Sequence, residues 1–112
     1  MHPLIPHRNM PWYVKLEEGV VEKQRFDAVV PAHRRWLEEL ARNGHRPSSG
    51  YWAERAGREG AGGMLVFHAA DWAAAEALVL SDPLVQQGCV RWWLHEWRLV
   101  PLRSGTGAPD LN

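Results

Sequence analysis

Residues 90–100, Val-Arg-Trp-Trp-Leu-His-Glu-Trp-Arg-Leu-Val, predict the longest strand of the chain. Because successive side chains of a strand point to opposite faces of its sheet, the apolar residues divide between two faces. One face carries Val90, Trp92 and Leu94, and the other carries Trp93, His95, Trp97 and Leu99. A face open to water would be polar, so this strand predicts a sheet that is covered on both sides.

Five further elements precede this strand. They are a strand at 12–16, a helix ending near Arg42, strands at 49–53 and 64–68, and an alanine-rich helix capped by Asp71. The order strand, helix, strand, strand, helix, strand predicts an α+β, ferredoxin-like domain (βαββαβ), in which two helices lie on one face of an antiparallel sheet. The 112 residues give one such domain at 12–100, with an extended arm at 1–11 and a flexible tail at 101–112.

The first predicted helix is amphipathic. Its apolar stripe, spaced by three and four residues, consists of Phe26, Val30, His33, Leu37 and Leu40. Pro31 interrupts this pattern, because proline removes a helix hydrogen bond and clashes with the preceding turn. The helix therefore either begins at Pro31, where proline suits the first position, or follows a short turn with a kink.

Two helices can cover only one face of the sheet, although both faces are apolar. An exposed apolar face of that size is typical of an association surface. Two copies of the chain, packed face to face about a two-fold axis, would bury it. The sequence therefore predicts a homodimer.

The composition argues against several classes of partner. Thirteen basic side chains balance thirteen acidic ones, so no nucleic acid partner is expected. No apolar run reaches the roughly 20 residues that cross a bilayer, so no membrane partner is expected either. Cys89 is the only cysteine, which rules out an intrachain disulfide and favours a cytoplasmic location.

Three blocks of the sequence resemble the YciI-like (YCII-related) family of the dimeric α/β-barrel superfamily. The first is residues 31–40, Pro-Ala-His-Arg-Arg-Trp-Leu-Glu-Glu-Leu, with a histidine four residues before a leucine. The second is residues 43–50, where Asn-Gly leads through a strand to a glycine. The third is residues 82–88, Asp-Pro-Leu-Val-Gln-Gln-Gly, which runs into the final strand.

The resemblance implies a ferredoxin-like monomer, a barrel-like dimer and a His–Asp pair at an active site. Carried over residue by residue, this pair is His33 and Asp82, which are the predicted catalytic residues. The family's own activity is poorly defined. Other members of the superfamily isomerise, oxygenate or eliminate from small, often aromatic, molecules.

Without the family, His33 and Asp82 each have two interpretations. His33 lies on the stripe that faces the sheet, where a histidine is more often a core residue than a catalyst. A carboxylate on one ring nitrogen would instead fix the tautomer and raise the basicity of the other nitrogen. Asp82 itself could belong to a turn that ends the second helix before Pro83.

The seven tryptophans predict core and interface packing or an aromatic pocket. If a site lies between helix and sheet, alternation places Trp12, Val14 and Trp92 on its wall. Trp12 and Trp92 are then the predicted substrate-binding residues. A slip of one residue would substitute Tyr13 and Trp93.

Other chemistry has weaker support. His68 and His95 lack the local spacing that would make them metal ligands with His33, so no metal is expected. Gly57 to Gly63 predict a hairpin loop, without the lysine and helix of a phosphate-binding loop. Cys89 is interpreted as a small buried residue.

The leading hypothesis is an isomerase or lyase that needs no cofactor, acts on a small molecule and uses His33 and Asp82 as a general-base pair. The alternative is a non-catalytic homodimer that binds or senses a small-molecule ligand, and a purely structural dimer is a third possibility. The enzyme requires both a cavity that reaches His33 and contact between His33 and Asp82. The binding module requires only the cavity.

Overall fold

The computed structural model describes residues 10–53 and 62–103. In chain order its elements are β1 (Trp12–Gly19), α1 (Lys23–Arg42), β2 (Ser48–Tyr51), β3 (Gly62–His68), α2 (Trp72–Leu80), α3 (Pro83–Gln86) and β4 (Val90–Trp97). The strands form one sheet in the order β2-β3-β1-β4, and every neighbouring pair is antiparallel. The predicted α+β, ferredoxin-like fold is therefore confirmed.

The main core lies between the helices and one side of the sheet, called here the helix face. Its buried side chains come from three strands and two helices: Tyr13, Leu65, Phe67, Leu94, Trp36, Leu40, Ala75 and Val79. The Asp71 carboxylate begins α2 by accepting a hydrogen bond from the Ala74 N–H at 2.8 Å. Because α1 and α2 share one core, both lie on the same side of the sheet.

The other side, called here the open face, has no described helix packed over it. Its side chains alternate with the buried ones in β1, β3 and β4: Trp12, Val14, Leu16, Met64, Val66, Trp93, His95 and Trp97. Trp93 and Trp97 are 44% and 45% exposed. The apolar face that two helices cannot cover is therefore present, and it is open in the single chain.

α1 is one helix of 20 residues, which corrects the prediction at Pro31. The helix begins at Lys23, and Pro31 lies inside it on an exposed position. Proline at 31 leaves the Asp27 carbonyl without its helical partner, and Asp27 is itself exposed to water. Solvent can therefore satisfy the carbonyl that the proline leaves open.

The sequence does not predict α3, a four-residue helix at the Asp-Pro block. Asp82 begins α3, and Pro83 occupies its first position, where proline sacrifices no hydrogen bond. Gly88 then takes a left-handed conformation, with φ 68°, and leads the chain into β4. The predicted turn at 81–83 is therefore the start of a helix, and this start places the Asp82 side chain.

Several boundaries differ from the predicted ones. β1 continues to Gly19, and β4 ends at Trp97. Gly62 and Gly63 belong to β3. The rest of the predicted glycine loop lies outside the described residues, as do most of the predicted arm and tail.

Candidate active site

His33 lies on the side of α1 that faces the sheet, one turn before Trp36. Its ring stacks on the Trp36 indole, with centroids 5.6 Å apart and planes at 27°. The Trp36 indole N–H donates to Oγ of Ser81 at 2.8 Å, which ties α1 to the segment that carries Asp82. The His33 side chain is 13% exposed, so it is held by the core without being sealed in it.

Asp82 is fully buried directly beside His33. Its Oδ1 lies 2.8 Å from Nδ1 of His33. The same oxygen accepts the Leu84 N–H at 3.0 Å, which caps α3. The structure therefore brings together the two residues that the sequence predicts as a pair, although 49 positions separate them.

The sequence does not predict the third member of the site, Lys15 in the middle of β1. Its ammonium group donates to Oδ2 of Asp82 at 2.5 Å and to Oε1 of Glu17 at 2.7 Å. The Lys15 side chain is fully buried. A buried cation is costly unless it is paired, and here two carboxylates pair it. Glu17, Lys15, Asp82 and His33 are together called the charged network.

Asp82 is ionised although it is buried. Burial alone raises the pKa of this carboxyl group, but the hydrogen bond from His33 and the positive charge of Lys15 more than offset it. The pKa of Asp82 therefore lies below its ordinary value.

The charge on Asp82 assigns the tautomer of His33. A carboxylate can only accept hydrogen bonds, so Nδ1 of His33 carries the proton that faces Asp82. When the ring is neutral, the other ring nitrogen, Nε2, holds a lone pair and can accept a proton. This is the arrangement that a general base requires.

A cavity of about 590 Å³ lies between α1 and the β2–β3 side of the sheet. Its volume is within the range of small-molecule sites. Its lining includes the apolar side chains of Phe26, Val30, Leu37 and Leu84 and the polar side chains of Glu17 and His33. Two members of the charged network therefore reach the cavity, whereas Lys15 and Asp82 lie buried behind them.

The predicted facing of Trp12 and Val14 is wrong. Tyr13 and Lys15 are the residues of β1 that are buried under the helices, so Trp12 and Val14 point to the open face. Neither is among the residues that line the cavity. Three apolar side chains of β1, those of Trp12, Val14 and Leu16, face away from the helices, which is the reverse of what alternation in a half-exposed strand predicts.

Trp92 and Trp93 divide between the two faces. Trp92 lies on the helix face, where it packs beside the core and pairs across the strands with Glu17. Trp93, from the alternative register, lies on the open face with Trp12. Each predicted set of wall residues thus mixes the two faces. A binding role for Trp92 stays a prediction, since it does not itself line the cavity.

The other two histidines and the cysteine considered as candidates from the sequence do not line the cavity. His68 stacks against Trp12, with ring centroids 3.6 Å apart, and His95 is exposed on the open face. Cys89 is buried in a small cluster with Leu84 and Val90. Within residues 10–53 and 62–103, no three His, Cys, Asp or Glu side chains are grouped closely enough to hold a metal ion.

No helix in the described part of the chain combines the length and the apolar character that a membrane span requires.

Comparison with known proteins adds a family and a fold. The family model of the YCII-related domain matches residues 10–97, which include every element described above. A search of the curated proteins found no match.

Among solved structures, a match is 5-chloro-2-hydroxyhydroquinone dehydrochlorinase from Burkholderia phenoliruptrix, in complex with 2,5-dihydroxybenzoquinone. The TM-score is 0.62 and the sequence identity 17%, over 78% of this chain and 93% of that one. This likeness shows the fold, and the family match confirms the resemblance that the three sequence blocks indicate.

Proposed function

Because this chain belongs to the YCII-related domain family, we propose that it is a small-molecule enzyme of the isomerase or lyase type. In this proposal His33 is the general base, Asp82 orients it, and no cofactor takes part. One observation carries the proposal: His33 is held at Nδ1 by a buried carboxylate and is also one of the residues that line a cavity. A histidine sealed in the core would meet no substrate, and one without a partner would have no fixed tautomer.

The reaction begins when Nε2 of His33 takes a proton from a phenolic hydroxyl or from a carbon next to a carbonyl group. The electron pair of the broken bond moves into the substrate. In an elimination it expels a leaving group, which departs with its own electron pair. In an isomerisation His33 returns the same proton to a different atom. The carboxylate of Asp82, at 2.8 Å, stabilises the imidazolium that forms in between.

The cavity favours a small ring compound. Phe26 and Leu84 offer apolar contact, and Tyr51 and Trp52 add aromatic rings on the β2 side. The matching solved structure is named as a dehydrochlorinase that acts on a chlorinated hydroxyhydroquinone. Elimination from a substituted phenol is therefore the reaction that we propose first.

The proposed active form is a homodimer in which the open faces of two chains pack together. This arrangement would bury Trp93 and Trp97, which the helices leave about half exposed. Light scattering should give twice the mass of the 12.8 kDa chain. A monomer at micromolar concentration would contradict the proposal.

A non-catalytic homodimer that binds or senses a ligand would also use this cavity. The contact between His33 and Asp82 favours the enzyme, because binding alone does not need a histidine with a fixed tautomer and a free lone pair. The two functions differ in turnover, which the following experiment measures.

The test is a screen of phenols, halogenated hydroquinones and unsaturated lactones against wild type and His33→Ala. General-base catalysis contributes about 10²–10⁴-fold, so His33→Ala should lose that much of kcat. Arg35→Ala, on the exposed side of the same helix, is the matched control and should retain full activity. Equal turnover by wild type and His33→Ala would remove His33 from the mechanism. Ligand binding without turnover would favour the binding module.

A further inference from the structure

We propose that Lys15 is a positioning residue of this site, which holds Asp82 from the side opposite His33 and limits how strongly Asp82 attracts a proton to the His33 ring. The inference deepens the proposed function and rests on it, because it assumes that His33 must be unprotonated at Nε2 to act. A general base made of His33 and Asp82 does not by itself need Lys15. The inference therefore gives this buried charge a role.

The first argument is the way in which the two oxygens of Asp82 are divided. Oδ1 accepts from His33 Nδ1 at 2.8 Å and from the Leu84 N–H at 3.0 Å. Oδ2 accepts from Lys15 Nζ at 2.5 Å. Rotation of the carboxylate would disturb all three contacts, so Lys15 fixes the oxygen that His33 uses.

The second argument is that packing does not require a lysine at position 15. The residue lies in a central strand between Leu65 and Leu94 of the neighbouring strands, where an apolar side chain would fit. Replacing a buried ion pair by apolar residues often leaves stability unchanged or raises it. An uncharged Asn or Ser at position 82 could also cap α3. The fold alone therefore explains neither charge.

The third argument is the charge of the network. With a neutral His33, one cation faces two carboxylates, and the network carries one net negative charge. Without Lys15, Asp82 and Glu17 would leave two negative charges beside the ring. The protonated form of His33 would then gain stability relative to the neutral form, so less of the base would be available at a given pH.

Among the described residues, the other charged groups at the cavity lie on α1. Lys23 and Asp27 form an ion pair with side chains 62% and 53% exposed, and Arg34 is exposed as well. The Tyr51 hydroxyl group belongs to β2 on the far side of the cavity. Water screens these groups, so in the described part of the chain the buried ammonium of Lys15 is the cation that acts most strongly on Asp82.

The test is an NMR titration of the His33 ring in the full chain, which needs no substrate. In Lys15→Met, which keeps the length of the side chain without its charge, the titration midpoint should rise by about one pH unit. Glu17→Gln removes a negative charge and keeps an acceptor for Lys15, so the midpoint should fall, by about half a pH unit. Opposite shifts from two neighbouring residues are not expected from a merely structural disturbance.

The matched control is Arg98→Met. Arg98 pairs with a glutamate of β4, Glu96, at 2.7 Å, but its side chain is 86% exposed. Its loss should leave the midpoint within about 0.2 pH units of wild type. In a turnover assay at a pH below the titration midpoint, Lys15→Met should lose up to about tenfold of kcat, keep KM, and regain activity at higher pH.

The outcomes separate this inference from the proposed function. An unchanged midpoint in folded Lys15→Met would overturn the inference, whatever the activity of the chain. If Lys15→Met fails to fold, Glu17→Gln decides, and an unchanged or raised midpoint there would overturn it. If the midpoints shift as expected but no substrate is turned over, the proposed function fails while the control of the His33 ring by Lys15 stands.

Discussion

The helix face of the sheet buries a lysine and an aspartate beside it, whereas the open face leaves two tryptophans about half exposed. A sheet with water on one side normally shows the reverse, with apolar side chains under the helices and charges outside. The lysine lies in β1, and the two tryptophans lie in β4, the strand paired with it. Lys15 points into the protein, and its neighbour Leu16 points to the open face.

The difference between the faces indicates two separate tasks. A buried ion pair contributes little net stability, so its presence under the helices is better explained by chemistry. An exposed apolar face is unfavourable in water, so its presence on the other side is better explained by association. Substitutions on each face should therefore produce different kinds of loss.

The largest effect is expected from Asp82→Ala. It would leave Lys15 buried with only Glu17 to pair it, and breaking a buried pair costs about 3–5 kcal/mol of unfolding free energy. Urea denaturation at fixed protein concentration measures this loss. Asp82→Asn keeps a cap for α3 and should lose less. A loss below about 1 kcal/mol for Asp82→Ala would mean that the buried pair behaves like a surface one.

The next largest effect is expected on the open face, from Trp93→Arg. A charge placed in the proposed dimer interface should weaken association by about 2–4 kcal/mol, the range of an interface hot spot. The control is Trp72→Arg, because Trp72 is 46% exposed but lies on α2, away from the open face. Sedimentation analysis should show dissociation of the first variant only. Equal behaviour of the two variants would place the interface elsewhere.

The same inversion explains what the sequence predicts and what it misses. The fold could be predicted because apolar periodicity and the order of elements are local signals, which strands 64–68 and 90–97 carry clearly. The side chains of Trp12, Val14 and Leu16 are apolar, so alternation alone places them inside. Their true position on the open face requires knowledge of how the rest of the sheet is covered.

The candidate site could be predicted only in part. His33 and Asp82 could be predicted because each belongs to a block of sequence that resembles the family. Lys15 belongs to none of these blocks, and a charged residue in a strand is ordinarily assigned to solvent. Its contact with Asp82 joins residues 67 positions apart, which no local pattern indicates. The misplacement of Trp12 and the omission of Lys15 therefore have one cause. In β1 a charged side chain is buried under the helices and apolar side chains face away from them.

The third largest effect is expected on the unfolding free energy when the pH is lowered. The folded state lowers the pKa of Asp82 below 3.8, so the carboxylate binds a proton less readily in the folded chain than in the unfolded one. Its stabilisation is therefore complete above about pH 4 and is lost as the pH falls through the lower, folded pKa. The slope reaches at most about 1.4 kcal/mol per pH unit from this group. Between pH 5 and pH 2, the unfolding free energy of Asp82→Asn should therefore fall less steeply with pH than that of wild type. An identical pH dependence would assign acid sensitivity to other carboxylates.

The smallest effect is expected from Asp27→Ala, which sharpens the comparison between buried and exposed charge. Lys23 and Asp27 form a pair of the same residue types as Lys15 and Asp82, at 2.6 Å against 2.5 Å, but their side chains are 62% and 53% exposed. Water already solvates both partners, so their separation should cost only about 0.3–0.5 kcal/mol. This loss should vanish in about 1 M NaCl, where screening acts within about 3 Å. The loss in Asp82→Ala should persist in the same salt, because ions cannot enter the core. If both losses vanished in salt, the charged network would be open to solvent, and burial would no longer distinguish it from the pair on α1.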